Sequence, residues 1–425
     1  MKKRIEKYFD RLFPLNRSLT GQDYQKSLDI ISEIIPLKKI NFLSGTKVFD
    51  WIVPKEWNVK KAYIADLNKK KLIDFEKNNL HLMGYSKKVS KKISLNDLKK
   101  NLYFIKKIPN AIPYVTSYYK ERWGFSLSYN QFKRLKDKFY NVEIDSSLKN
   151  GKLTVGEKIL KGKSKKEILI SSYLCHPSMA NNELSGPLTL AFLFNHLKKK
   201  KLKFSIRFLI APESIGTISY LSRFKDKIKK NVIGGYNLSC CGIKNYPHYK
   251  MSKKGSSIID VAILHSLKKK KHKLLDFSPI GSDECRYETL GINIPFGAFL
   301  RTDFDNYRQY HTSLDNKKIF DFNKIFENIK ILDKAIDYIN KSNIYLSKIK
   351  NCEPFLSKYK VYPTISKFNS VNKIDSKTLS IFWLMSYSDG KTTDLEISEL
   401  SKINIKHINK AAMLLVKKGL LTKIA

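Results

Sequence analysis

Apolar positions in the first forty residues recur at helical spacing, with Ile30, Ile31, Ile34 and Ile35 on one face and Ser27 or Asp29 available near the start. From Gly45 to about Tyr103 the rhythm changes to short alternating runs, KVFDWIVP and KAYIADL, separated by Pro, Asn and Gly. That texture predicts a small β-rich module, with Phe49, Trp51 and Trp57 forming a satellite core rather than a ligand cage. Residues 110–345 alternate apolar runs with helical patterns, which predicts an α/β domain on a mainly parallel sheet. Its strands include Ile168–Leu174, Ser205–Ile210 and Val232–Leu238, and a long helix covers Lys324 to Lys341.

The last 70 or so residues read as a separate unit. Three short helical patterns are broken by Ser-Asp-Gly and by Ile403-Asn404, and the third, Ile405 to Lys418, leads through Gly419 into a short strand at Leu420-Leu421-Thr422. This order resembles a winged helix-turn-helix, which implies DNA binding in one use and packing or dimerisation in another.

Composition narrows the class. The chain has 425 residues, of which 42% are hydrophobic, enough for two or three domains with real cores. No apolar run approaches the roughly 18 residues of a membrane span. The opening MKKRIEKYFDRLFPL is broken by Glu6, Asp10 and Arg11, so no signal peptide is read and a cytoplasmic protein is expected. Five scattered cysteines without a CxxC pair exclude a disulfide framework or a Cys-based zinc ribbon, and Cys240 and Cys241 read as buried free thiols. The net charge of +43 is nearly all lysine, dispersed along the chain, while arginine, the better reader of phosphates, is sparse. Solvated loops and helix ends account for the lysine runs, so charge alone does not establish a nucleic-acid partner.

Candidate chemistry gathers where apolar runs end. His176 follows Ile168 to Leu174 and opens a polar loop, Glu213 ends FSIRFLIAPESIG, and His311 lies in YRQYHTSLDN. Ligands in α/β sheets collect beyond the carboxyl ends of strands, where the first two of these fall. Two imidazoles and a carboxylate can hold a zinc and drive hydrolysis. Each also has a plainer reading: His176 as a structural histidine, Glu183 as a favourable charge at a helix start, Glu213 as a helix cap. Asp283 in GSDECRY is a further candidate to orient the site, Asp315 or a backbone carbonyl to fix the His311 tautomer, and Arg286 to receive an anionic substrate group, with a surface salt bridge as its plainer reading.

Together HPSMANNELSG, APESIG, GSDECRYETLGINIP and YHTSLDN resemble the zinc aminopeptidases of the aminopeptidase Y and glutaminyl cyclase type. LFPLNRSLTGQ (12–22), SGTKVFDWIVPKEWNVKKAYI (44–64) and IPYVTSYYKERWGFSLSYNQ (112–131) extend the likeness to the aminopeptidase-like proteins of bacterial surface-polysaccharide gene clusters. The resemblance implies a zinc-aminopeptidase-like mixed sheet flanked by helices, from residues 1–42 and 105–350. A small β-rich insertion at 43–104 and a winged helix-turn-helix at 351–425 complete the expected architecture.

The chain departs from that pattern at three carboxylates. Asn182 stands where the wider family has a metal-bridging Asp, Ser214 where it has a second Glu, and Asn237-Leu238-Ser239 where Asn-x-Asp supplies another ligand. A neutral amide does not offset the repulsion of two dications, so one zinc ion is expected rather than two. The ligands are then His176, His311 and Glu183, with Asp283 as the second choice of carboxylate, and Glu213 is the general base. Asp283 also orients the catalytic groups, while Arg286 and Asn182 face the substrate. The expected activity is cleavage of an amide in a peptide or small molecule, linked by the resemblance to surface-polysaccharide biosynthesis. A peptidase-fold binding protein without metal, or a winged-helix regulator, is the rival class. The winged-helix end could also mediate a homodimer.

Overall fold

A computed structural model describes residues 2–304, 307–361 and 375–425. Its centre is an eight-stranded sheet. In chain order the strands are β1 (Lys38–Leu43), β2 (Lys152–Leu160), β3 (Ser164–Tyr173), β4 (Phe204–Ala211), β5 (Val232–Leu238), β6 (His248–Lys250), β7 (Lys273–Leu275) and β8 (Phe296–Leu300). They lie side by side as β1-β2-β4-β3-β5-β8-β6-β7. The central block β4-β3-β5-β8 is parallel, whereas β1, β2 and β6 join antiparallel to their inner neighbours. The sheet is therefore mixed.

The parallel strands are buried on both faces, which is why they read as near-continuous apolar runs. On β4, Ile206, Phe208 and Ile210 enter one core, while Leu209 and Ala211 enter the other. Helices Ser185–Leu197, Ile258–Leu267 and Phe322–Ile339 pack in the first core. The first of these is buried nearly all round, as a helix between sheet and helices must be. Helix Ile215–Asn231 covers the second face, beside a separate sheet ordered Lys71–Asp74, Glu56–Ala65, Phe139–Lys149, Val89–Ser94.

That second sheet contains the β-rich texture read between Gly45 and Tyr103, but its strand Phe139–Lys149 lies beyond residue 104. Periodicity cannot say which strand pairs with which. Of the expected satellite-core aromatics only Trp57 is buried; Phe49 and Trp51 stand out from a two-stranded hairpin at 46% and 44% exposure.

At the other end, Ile344–Ser347 is the middle strand between Asp389–Thr393 and Leu421–Lys423. Helices Ser376–Tyr387, Asp394–Ser401 and Ile405–Lys417 complete a three-helix unit with its own core around Leu384, Ile397, Ile408 and Leu415. The middle strand precedes residue 351, and residues 362–374 of the expected segment lie outside the described residues. Helix Asp394–Ser401 packs on helix Ile258–Leu267, tying the unit to the main domain. Among the described residues no helix is long and apolar enough to cross a membrane.

Candidate active site

Because β3, β4, β5 and β8 run parallel, the loops leaving them gather along one sheet edge. His176 leaves β3. Its ring Nδ1 meets Glu183 Oε2 at 2.7 Å, and its backbone N–H donates to Glu183 Oε1 at 2.9 Å. The buried Arg17 guanidinium donates to the His176 carbonyl at 3.1 Å and lies 4.0 Å from Glu183. Glu183 sits in a single π turn, Ala180–Leu184, immediately before helix Ser185–Leu197. Gly186 lets that helix start press against the sheet, since a Cβ there would collide with the Leu238 carbonyl and the Ser172 hydroxyl.

Glu213 leaves β4. Its Oε2 lies 3.7 Å from His176 Nε2, while Ser282 donates to its Oε1 at 2.5 Å. The next residue, Ser214, has φ of 59°, a left-handed conformation costly for a side-chain-bearing residue. Asp283 holds the turn by accepting the Ser214 N–H at 2.8 Å, and Arg286 donates to the Ser214 hydroxyl at 3.1 Å. Asp283 and Arg286 thus act on the Glu213 turn.

His311 comes from the loop after β8, also left-handed at φ 51°. Residues 112–114 bridge to it: Tyr114 N–H donates to the His311 carbonyl at 2.8 Å, beside a bridge between Pro113 and Thr312. The ring stacks on Tyr310 at 3.9 Å and lies 5.2 Å from the His176 ring, centroid to centroid. Tyr114 packs on both imidazoles, at 5.0 and 5.4 Å. A cavity of about 580 Å³ opens beside Glu213, walled by Tyr310, Phe304, Leu275, Leu300 and Ser282.

The two imidazoles hold protons very differently. Burial opposes charge on His176, but Cys175 and Glu183 more than offset it, so its pKa stands well above the ordinary value. Burial pushes the Cys175 thiol itself up to about 11, which leaves Glu183 as the partner that counts at neutral pH. Burial, helped by the charge on His176, pulls His311 down to about 3. Burial raises Glu213, against the lowering effect of His176. Asp283 rises to about 7, by burial and then by Glu213.

The structure brings His176, Glu183, Glu213 and His311 together and places Asp283 and Arg286 directly behind them. Cys175, His176 and Glu183 offer ligand atoms within 4.8 Å of one another. Glu183 meets His176 with both oxygens, each of which keeps a further lone pair, and the protonated Cys175 thiol accepts the Glu213 N–H at 3.2 Å. Asp315, expected to fix the His311 ring, instead accepts the N–H groups of Asn181 and Asn182 at 2.7 and 2.8 Å and so shapes the π turn. Asn182 is buried and gives its amide group to Tyr173 and Cys240, while its carbonyl oxygen has no protein partner. The Ser239 hydroxyl is likewise buried without one. Sequence reasoning missed Arg17, Tyr114, Ser282 and Tyr310. All four lie in segments that carried the family likeness, but nothing local signals contact with His176, Glu213 or His311.

Comparison with known proteins gives a consistent result. The family described as a domain of unknown function, DUF4910, matches residues 6–342, and a winged helix-turn-helix family matches residues 343–423. A Clostridium acetobutylicum protein, provisionally named a polysaccharide biosynthesis protein with aminopeptidase-like domain, is 42% identical over 98% of this chain and 95% of its own length. The crystal structure of a provisionally assigned peptidase from the same organism shares 40% identity over 99% of this chain and 96% of that one, with a TM-score of 0.80. BSAP, a zinc aminopeptidase from Bacillus subtilis, has the same fold at 12% identity, over 83% of this chain and 95% of that one, with a TM-score of 0.58.

Proposed function

The chain belongs to the DUF4910 family, here an aminopeptidase-like fold carrying a winged helix-turn-helix, and from that premise we propose that it is a single-zinc hydrolase of amide bonds. The observation that carries the reading is the convergence of His176 Nε2, Glu213 Oε2 and the His311 ring at the sheet edge.

The donor set fits one dication. His311 is neutral at physiological pH and offers a lone pair, and His176 turns Nε2 toward Glu213 while Nδ1 is held by a carboxylate. That is the carboxylate–histidine arrangement that orients metal-binding imidazoles. In this reading His176 and His311 hold the ion, Glu183 orients His176 from behind, and the unpartnered Asn182 oxygen adds a neutral donor. Glu183 and Glu213 supply two negative charges, enough for one dication once His176 gives up its proton. Zinc would polarise the amide carbonyl and lower the pKa of the attacking water.

The protein's own groups do the rest. Ser282 holds one Glu213 oxygen, leaving the other free to take a proton from the water and return it to the leaving nitrogen. Its raised pKa brings the carboxyl nearer the working pH, which favours transfer in both directions. Arg17 and Glu183 fix the His176 loop, Tyr310 fixes the plane of His311, and the adjoining cavity receives the substrate. The name of the Clostridium relative supports placing the amide in polysaccharide biosynthesis. The expected nucleic-acid contact and dimer attach to the winged-helix unit and form no part of this reading.

Metal analysis combined with Glu213→Gln tests it. The wild type takes up about one zinc per chain. The variant keeps the metal and loses turnover of amide substrates by about 10²–10⁴-fold. A protein that takes up no zinc when it is supplied would remove the hydrolase and leave a binding protein on a peptidase fold.

A further inference from the structure

We propose that the tip of the Lys47–Ile52 hairpin is a docking surface for anionic phospholipid. On and beside this hairpin, Leu43, Phe49, Trp51, Ile52 and Tyr119 are 67%, 46%, 44%, 55% and 52% exposed. Tyr119 ties itself to the hairpin: it donates its hydroxyl to the Ile52 carbonyl at 3.0 Å, and its ring lies 6.3 Å from that of Trp51. The hairpin pairs Lys47 with Ile52 and Val48 with Trp51, leaving Phe49 and Asp50 as a two-residue loop. Phe49 has φ of 54°, at a position that Gly or Asn normally fills. A bulky aromatic held in left-handed backbone, half exposed and in none of the apolar cores, is strain without an evident return inside the fold.

The surroundings identify the occupant. Trp and Tyr beside aliphatic side chains are the residues that settle at a bilayer interface. Lys47, Lys55, Lys120 and Arg122 are exposed around the patch, against Asp50 and Glu121, on a chain of net charge +43. That field attracts an anionic leaflet and repels a second copy of the chain. Five exposed apolar side chains are also few beside the roughly 20–30 residues a side of a stable protein interface. Docking there would bring the candidate site to the bilayer. Tyr119 follows Tyr118, whose hydroxyl lies 2.8 Å from that of Tyr114, and Tyr114 packs on both site imidazoles. The inference does not depend on the site being hydrolytic.

Co-sedimentation with phosphatidylglycerol-containing vesicles, at physiological salt and with phosphatidylcholine vesicles as control, tests it. The wild type partitions to the anionic vesicles. Phe49→Asn combined with Trp51→Ser lowers partitioning by about tenfold or more, with a Tm equal to or above wild type because Asn accepts the turn conformation. Ile52→Ser, outside the strained loop, lowers it by a smaller factor. Three results overturn the proposal: no wild-type partitioning, equal partitioning by the double variant, or a wild-type dimer in sedimentation velocity that the double variant abolishes.

Discussion

The loops after β3 and β8 deliver the same side chain to one site and surround it with opposite chemistry. On the β3 side, His176 is gripped by Glu183 and Arg17, with Glu213 facing its far nitrogen, and it binds a proton strongly. On the β8 side, His311 is stacked on Tyr310, packed by Tyr114 and kept neutral down to about pH 3. Two adjacent imidazoles cannot easily both be charged, so a charged ring on one wall enforces a neutral one on the other. Under the proposed single-zinc reading, a cation held by this pair would expel one proton rather than two.

The largest effect that could break this contrast is on stability. With chelator present, His176→Ala should cost about 3–5 kcal/mol in urea denaturation, because it strips the buried Glu183 of its main partner. His311→Ala should cost about 1–2 kcal/mol, mostly lost ring packing. Equal losses would mean that the two walls are not different in kind.

A pH series sharpens the contrast further. The folded pKa of His311 is depressed, so charging it costs stability as the pH falls below 6.5, and the loss is complete near 3. His176 has the opposite sign: its stabilisation is full below 6.5 and disappears as the pH rises through its folded value. In metal-free protein, His311→Phe should therefore lessen the loss between pH 6.5 and 3, by on the order of 2–4 kcal/mol after allowing for partial exposure. A urea midpoint that falls in parallel for wild type and variant would place the acid sensitivity elsewhere.

The smallest effect concerns orientation alone. Glu183→Gln keeps the shape behind His176 but weakens the hold on its Nδ1. Zinc affinity should drop by about 10–100-fold in competition with a chelating indicator. Unchanged affinity would show that Glu183 does not set the ring.

Much of this was legible in the chain. The apolar runs ending at Leu174 and Ala211 placed His176 and Glu213 at strand ends, because strands buried on both faces announce themselves by local composition alone. The family likeness gathered His311 with them from far along the chain. The winged-helix order followed from three short helical patterns and their breaks, which are also local signals.

Other features existed only in three dimensions. That the Glu183 carboxylate closes on His176 Nδ1 was hidden, and Asp315 reads as a partner of His311 until it is seen holding the π turn. Phe49 and Trp51 read as core until the hairpin carries them into water. Which strand pairs with Phe139–Lys149, and which tyrosines wall the imidazoles, was equally hidden. Spacing along a chain reports how a residue faces its own helix or strand. Which atom it meets across the site depends on how loops and segments fold against one another, whether seven residues apart like His176 and Glu183 or more than a hundred apart like Asn181 and Asp315, and those contacts are settled only when the cores pack.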